Sequence, residues 1–393
     1  MHDGQPLPYF QPLIDTATGR IAGYEALARL RLEDGRIVSA GPLFTDPQTD
    51  PDALLELDRS IRQQALELFR DQPEGFISIN ISPLWISRLN SEQPLPSLQL
   101  LEQLGMQPGQ LVFEITELQG DIRQLRDAVA RYRAHGIRVA IDDFGAGASM
   151  LDRLLDLEPD IIKLDAQLLR QAANGNSHSR EFVRALALMA ERSGCEVIAE
   201  GIENQRELHF ALECGARFVQ GYLFSEPREG FQPVDSYVEP FASMRDAYVK
   251  QQQQERQRLA VLRQSLHTLF GELRQWLEQG AAPQRLPDPA RWPWLLRCYL
   301  CDAEGTQISP NFDATATGWE TDPALLDHNW SWRPYFHQIL EEAGEDSRVI
   351  LSSPYRDASS QALCMTSGLF FNDSRHLLLV DIDVSRIPAT PAA

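Results

Sequence analysis

The sequence predicts an α/β chain: one (β/α) barrel with an antiparallel strand, followed by a smaller α+β domain. Three observations carry this. Short apolar runs of strand character alternate with helix-spaced segments over roughly the first 230 residues, as in a parallel sheet closed into one barrel. Nearly every strand delivers a polar residue toward its C-terminal end, where such barrels hold their chemistry. After residue 236 the pattern changes to a long helical stretch and then to antiparallel-strand character.

Taken in order, residues 7–14 read as a strand, Asp15–Arg20 as a turn and Ile21–Leu32 as a second strand. The link leaves no room for a crossover helix, so it reads as a hairpin and one strand runs antiparallel. Leu54, Leu55, Leu57, Ile61, Ala65, Leu66 and Phe69 recur at helical spacing within residues 52–70. Phe76–Ile81 is a strand, and Leu98–Leu104 a short helix with Ser97 to start it and Gly105 to close it. Strands at Leu111–Ile115, Ile137–Ile141, Asp160–Leu164, Glu196–Ala199 and Phe218–Gly221 then alternate with helices over 121–134, 150–155, 181–192 and 206–212.

Hydrophobic residues make up 43% and charged residues 23% of the 393, an ordinary balance for a globular chain with a core, and the length suggests two or three domains. No apolar run approaches bilayer length and the N-terminus lacks signal-peptide character, so a cytoplasmic protein with no membrane span is expected. Five irregularly spaced cysteines do not form a disulfide framework and fit a reducing compartment. Cys298 and Cys301 form a lone Cys-x-x-Cys on a strand, where residues three apart face opposite ways and chelate poorly. A net charge of −20 argues against long nucleic acid as a partner. A small phosphodiester remains open if metals neutralise its site.

The stretch Ala140–Gly147 organises the barrel half: an apolar strand stops at Asp142-Asp143 and runs into a loop with two glycines. Two carboxylates at one rim stay ionised only with a cation between them, which a pair of divalent metals supplies. Alternatively they are helix N-caps. Glu25, Asn80, Glu114, Asp142, Asp143, Lys163, Glu200 and Gln220 all lie in or just after successive strands. Their regular placement favours a site. An all-oxygen set without histidine suits Mg²⁺ or Mn²⁺ rather than zinc.

These residues resemble the EAL-domain cyclic-di-GMP phosphodiesterases over roughly residues 8–228. Glu25-Ala26-Leu27 is the eponymous motif, with Arg29 at the family's arginine position. Asn80-Ile81-Ser82, Glu114-Ile115-Thr116-Glu117, Asp142-Asp143-Phe144-Gly145, Lys163-Leu164-Asp165, Ala199-Glu200-Gly201-Ile202-Glu203 and Gln220-Gly221-Tyr222 follow in the family's order. The resemblance implies a TIM-type (β/α)8 barrel with one antiparallel strand, and hydrolysis of cyclic-di-GMP to linear pGpG by a two-metal mechanism. It implies that Glu25, Asn80, Glu114 and Asp142 hold the first ion, and that Asp142, Asp143 and Glu200 hold the second. Lys163 would orient the attacking water, and Glu200 is also a general-base candidate. Gln11, Glu25, Leu27, Arg29 and Gln220 would contact substrate. Glu117 and Glu203 would brace the loop after Asp143 and link the site to a homodimer. That loop departs from the family: Ala146 lacks a hydroxyl, Ala148 an aromatic ring, and Met150 replaces a small polar residue.

The expected division is a barrel over 1–233, a helical connector over 234–280 and a sensor domain over 281–393. The connector carries Leu259, Val261, Leu262, Leu266, Leu269, Leu273 and Trp276 at helical spacing, either as a helix packed on the barrel or as a signalling or dimer helix. Leu295–Cys301, Gln307–Ser309, Arg348–Ser352, Leu363–Phe371 and Leu377–Ile382 read as strands, with a helix at Trp332–Leu340. This part resembles PAS/Cache-type sensors and the C-terminal domain of YkuI-type EAL proteins. Arg333, Tyr335, Tyr355 and Asp357 either line a small-ligand pocket or are aromatic core and surface charge.

Three functions compete. The first is a metal-dependent cyclic-di-GMP phosphodiesterase adjusted by its C-terminal domain. The second is a cyclic-di-GMP receptor with weak turnover that signals through a partner. The third is a hydrolase for another small phosphodiester, which the Arg29 and Gln220 matches disfavour. The retained acids and Lys163 favour the first, and the altered loop favours the second.

Overall fold

A computed structural model describes residues 4–46, 48–72, 74–81, 95–116, 122–145, 150–342, 349–357, 360–371 and 375–388. They form two compact units, residues 1–248 and 249–393.

In the first unit, β1 (Gly4–Asp15) and β2 (Ile21–Leu32) pair antiparallel as the expected hairpin. The Asp15 carboxylate accepts from the backbone N–H of Ala17 (2.7 Å) and Thr18 (3.1 Å), which closes the turn locally. A short β3 (Ile37–Ser39) adds to the outer edge of β2. Then β4 (Phe76–Ile81), β5 (Leu111–Thr116), β6 (Arg138–Phe144), β7 (Ile161–Leu164), β8 (Glu196–Ala199) and β9 (Phe218–Val219) follow in parallel around the sheet. β1 also pairs antiparallel with β9, so eight strands close into a barrel in which β1 alone runs against the rest.

Helices lie between the strands. α1 (Gly41–Thr45), α2 (Pro51–Phe69) and α3 (Pro96–Leu104) come first. α4 (Ile122–Arg133), α5 (Met150–Leu157), α6 (Ala166–Ala173), α7 (Ser177–Ser193) and α8 (Gln205–Glu213) follow among the described residues. α6 was not expected from apolar spacing, although its start is signalled by Asp165, whose side chain caps the Leu168 N–H at 2.9 Å.

The barrel interior is built in two layers. Leu13, Phe76, Val112, Ala140, Ile161, Ile198 and Phe218 form an apolar cluster with one residue from each of seven strands. Side chains alternate across a strand, so the residue two positions on shares that face. For the parallel strands those residues are Ser78, Glu114, Asp142, Lys163, Glu200 and Gln220. β1 runs backwards, and its counterpart is Gln11, two residues before Leu13. The fold therefore floors a ring of polar side chains with packed hydrophobic ones.

In the stretch expected as a helical connector, 234–280, lies α9, Val238–Glu278, and the division between the units falls within it. Phe241 and Met244 belong to the barrel's core, whereas Leu262, Leu266, Leu269, Phe270, Leu273 and Trp276 belong to that of the second unit. There, β10 (Leu295–Asp302), β11 (Asn311–Thr315), β12 (Gly318–Asp322), β13 (Ile350–Leu351), β14 (Tyr355–Arg356), β15 (Leu363–Phe371) and β16 (His376–Asp383) form one antiparallel sheet. Its order is β12-β11-β10-β16-β15-β13, with β14 on β15, and α10 (Pro334–Glu342) packs on it. The return strand expected at Gln307–Ser309 is instead Asn311–Thr315, while Gln307 makes a single bridge to Cys301. The Ser309 hydroxyl takes the Leu300 N–H at 2.9 Å, and Pro310 has no N–H to extend a ladder. Cys298 and Cys301 pack in different clusters, on opposite faces of β10, and all five cysteines are free thiols.

Candidate active site

The polar layer converges on Lys163. Its ammonium is 1% exposed and lies 2.7 Å from Glu114, 2.7 Å from Glu200, 3.0 Å from Asp142 and 3.4 Å from Glu25. Glu114 is fully buried and also accepts from Ser78 Oγ. Asn80 Nδ2 bridges Glu25 and Glu114, at 3.3 Å to each. Gln220 Nε2 donates to Glu25 Oε2 (2.7 Å) and Gln11 Oε1 (2.8 Å), while Gln11 Nε2 donates to the Ser225 carbonyl (3.0 Å).

Successive strand residues face opposite ways, so two adjacent aspartates reach one mouth only if the strand breaks register. β6 does so. Ile141 pairs with Ile162 but Phe144 with Leu164, which leaves one extra residue on β6, and Asp143 takes φ +53°. This bulge re-aims Asp143 beside Asp142 at the strand end. The next acid is set by backbone too: Gly201, directly after Glu200, has φ +61°, and a Cβ there would lie 2.3 Å from the Ala166 Cβ.

Five carboxylates, those of Glu25, Glu114, Asp142, Asp143 and Glu200, surround one ammonium. Burial first, then the Glu25 charge, pushes Glu114 well above the usual carboxylate range. Burial pushes Glu200 well above it as well, against the pull of Lys163. Asp143 rises to about 6 through burial and the adjacent Asp142. Burial alone would lower Lys163, but Asp142, Glu114, Glu200 and Glu25 outweigh it and hold the ammonium well above the usual lysine range. Two triads can each offer ligand atoms within 4.8 Å of one another: Glu25, Glu114 and Asp142, and Asp142, Asp143 and Glu200. Asp142 belongs to both. Its Oδ1 is buried and accepts no hydrogen bond, with the Lys163 ammonium 3.0 Å away. With Lys163 cationic, ionising all five acids leaves four negative charges, the complement of two divalent cations. The donor set fits the metals expected from the sequence.

Residues 1–227 match the EAL domain, and residues 249–387 match the EAL-domain associated signalling protein domain. The chain belongs to the EAL-domain family. It is 28% identical to the uncharacterized EAL-domain containing protein YkuI of Bacillus subtilis over 384 residues, covering 95% of this chain and 93% of that protein. The crystal structure of YkuI in complex with substrate c-di-GMP and calcium superposes with a TM-score of 0.88 at 27% identity, covering 97% of this chain and 96% of that one. A probable cyclic di-GMP phosphodiesterase of Escherichia coli, PdeB, is 32% identical over 234 residues, 57% of this chain and 43% of that protein. A manganese/cy-diGMP complex of BlrP1 from Klebsiella pneumoniae matches with a TM-score of 0.50 at 28% identity, covering 58% of each chain.

Within this EAL barrel a cavity of about 360 Å³ opens over the acids, lined by Gln11, Glu25, Leu27, Lys163 and Glu200 among others. Arg29 is half-buried beside it, its Nη1 on the Ala28 carbonyl (2.9 Å) and its guanidinium 6.0 Å from the Tyr9 ring centre. Glu203 lies at the rim, paired with Arg170 of α6 at 2.6 Å, and its N–H donates to Glu207 at 2.8 Å. Glu117 lies outside the described residues, as do Ala146, Ala148 and the Met150 side chain, so the bracing expected of Glu117 and Glu203 and the altered loop carry no structural account. Three participants were missed in the sequence: Ser78 on Glu114, Arg170 on Glu203, and Tyr222, which stands 63% exposed at the rim. Tyr222 follows the Gln220-Gly221 pair, so its motif was visible though its place was not. No helix among the described residues is long and apolar enough to cross a membrane.

Proposed function

We propose that the protein is a cyclic-di-GMP phosphodiesterase that opens one phosphodiester to give linear pGpG, using two divalent ions, Mg²⁺ or Mn²⁺. The observation that carries this reading is Asp142, the buried corner shared by two acid triads, one fully buried and one opening through Glu200 and Asp143 to the cavity. Glu25, Asn80, Glu114 and Asp142 would hold one ion, and Asp142, Asp143 and Glu200 the other. Bound there, the ions supply Lewis-acid neutralisation of the phosphate and acidify water. Lys163 stabilises negative charge and orients the attacking water from the cavity floor. Glu200, at the rim of the same cavity and 2.7 Å from Lys163, would take that water's proton. Gln220 holds Glu25 and Gln11 in place, while Leu27 and Arg29 meet the dinucleotide, Arg29 through a phosphate.

The relatives described as probable cyclic di-GMP phosphodiesterases, and the YkuI complex with c-di-GMP and calcium, support substrate and metal alike. The second unit is the regulatory part, a sensor of PAS/Cache type, in a cytoplasmic homodimer.

The test is hydrolysis of cyclic-di-GMP by the purified chain with Mg²⁺ and then Mn²⁺, following pGpG by chromatography. Metal-dependent product is expected. Tight nucleotide binding in Ca²⁺ without product in either metal would overturn the enzyme in favour of the receptor, the reading that Ala146, Ala148 and Met150 favour.

A further inference from the structure

The second unit contains a polar cavity of about 220 Å³, on the face of the sheet opposite α9. At roughly 30 Å³ per water this is space for about seven waters, too little for a nucleotide and enough for a small metabolite. Apolar cores fill such space. This one is walled by charge instead.

One pole is acidic. Arg297 reaches Asp357 at 3.2 Å, Asp313 at 3.4 Å and Asp381 at 3.8 Å, so one guanidinium faces three carboxylates. Asp357 and Asp381 line the cavity, and both are buried. The other pole is Arg333. Its guanidinium stacks 4.6 Å from the Trp332 ring and lies 5.9 Å from Tyr355, and its Nε is buried and donates no hydrogen bond. Among the described residues it has no carboxylate partner.

Between the poles stand stacked rings, Tyr335 on Tyr355 at 5.0 Å and 18°. Tyr355 spans the gap: its ring lies near Arg333, and its hydroxyl bonds Thr366 (2.7 Å), which in turn donates to Asp381 Oδ1 (2.8 Å). The Gln307 amide does not compete for a ligand's charge, since it is tied to Asn311 (3.0 Å), Ser309 (2.9 Å) and Trp330 (2.9 Å).

We propose that this cavity binds a small zwitterion of the α-amino-acid type, its ammonium against Asp357 and Asp381 beside the tyrosine faces and its carboxylate on Arg333. Excess negative charge and aromatic faces select an ammonium. A guanidinium with no carboxylate partner among the described residues selects a carboxylate. The size admits both only when they are close together. The inference does not depend on the barrel's chemistry.

The full-length chain, without nucleotide or metal, is tested by thermal shift and then calorimetry against each of the twenty L-α-amino acids. For any that binds, the matching amine and the matching deaminated acid follow. At least one amino acid should raise Tm, with the amine and the acid each binding at least tenfold more weakly. Arg333→Ala, at a half-exposed position where misfolding is not expected, should lose at least tenfold in affinity, and Asp381→Asn likewise if its far-UV spectrum is unchanged. No binding by any amino acid would overturn the proposal and leave a cavity of waters only. So would an amine that binds as tightly as its zwitterion, or an Arg333→Ala chain that binds unchanged. Because nothing in the assay reads hydrolysis, its failure and a failure of the phosphodiesterase reading are separate events.

Discussion

Replacing Lys163 by methionine removes the cation at the centre of the barrel's polar layer. The ammonium is 1% exposed and touches four carboxylates within 3.4 Å. Removing one partner of a buried ion pair costs about 3–5 kcal/mol, because the remaining charge has neither water nor counter-ion. For a unit of 248 residues that lowers Tm by about 6–20 °C. The wild-type ammonium, held above the usual lysine range, keeps its charge and its contribution throughout pH 6–9. The acids behave oppositely. Glu114 and Glu200 already titrate above their unfolded values, and without Lys163 they rise further. The folded variant then binds more protons than the unfolded chain, so its stability falls as pH rises, and the deficit is larger at pH 8 than at pH 6. Mn²⁺ replaces the missing charge and restores part of the loss. The assay is circular dichroism melting in EDTA at both pH values, then in Mn²⁺. A Lys163→Met chain melting within 2 °C of wild type in EDTA at pH 8 would refute the idea that this ammonium holds the acids together. In Mn²⁺ the same variant should lose about 10²–10³ in kcat for cyclic-di-GMP hydrolysis.

Asp143→Asn should cut turnover by more than about 100-fold, beyond the loss of an outer-shell partner, with retained turnover contradicting the second metal position. Asp143, pushed up to about 6, and the raised Glu114 and Glu200 hold protons that metals must displace. Mn²⁺ affinity should therefore climb with pH, and calorimetry in buffers of different ionisation enthalpy should show more proton release at pH 6 than at pH 9; equal release at both would contradict it. Gly201→Ala adds a Cβ 2.3 Å from Ala166 at φ +61°, so it should destabilise the chain by about 1–3 kcal/mol and weaken Mn²⁺ binding by moving Glu200, both read by melting with and without metal. A chain ending at Tyr248 should stay monodisperse, whereas one ending at Gly280 should aggregate, because Leu262, Leu266, Leu269, Phe270, Leu273 and Trp276 lose the sheet that covers them; sedimentation of both truncations decides this.

The sequence by itself determined the barrel, its hairpin and the ring of polar residues. Strand and helix periods, turn residues and motif order are local properties of the chain. They place Glu25, Asn80, Glu114, Asp142, Asp143, Lys163, Glu200 and Gln220 in or just after successive strands. Local signals do not reveal α6, where the Asp165 cap precedes a short helix, or the early end of pairing at Ser309, whose hydroxyl rather than backbone takes the Leu300 N–H. Only the tertiary structure decided how Asp142 and Asp143 face one mouth, since that needs a register shift between β6 and β7 that no single strand reveals. Only it surrounded Lys163 with four carboxylates from four other strands or strand ends, and assigned most of α9 to the second unit's core. The physical reason is the same in each case. Periodicity says which residues share a face, whereas charge and burial depend on what long-range closure brings opposite that face.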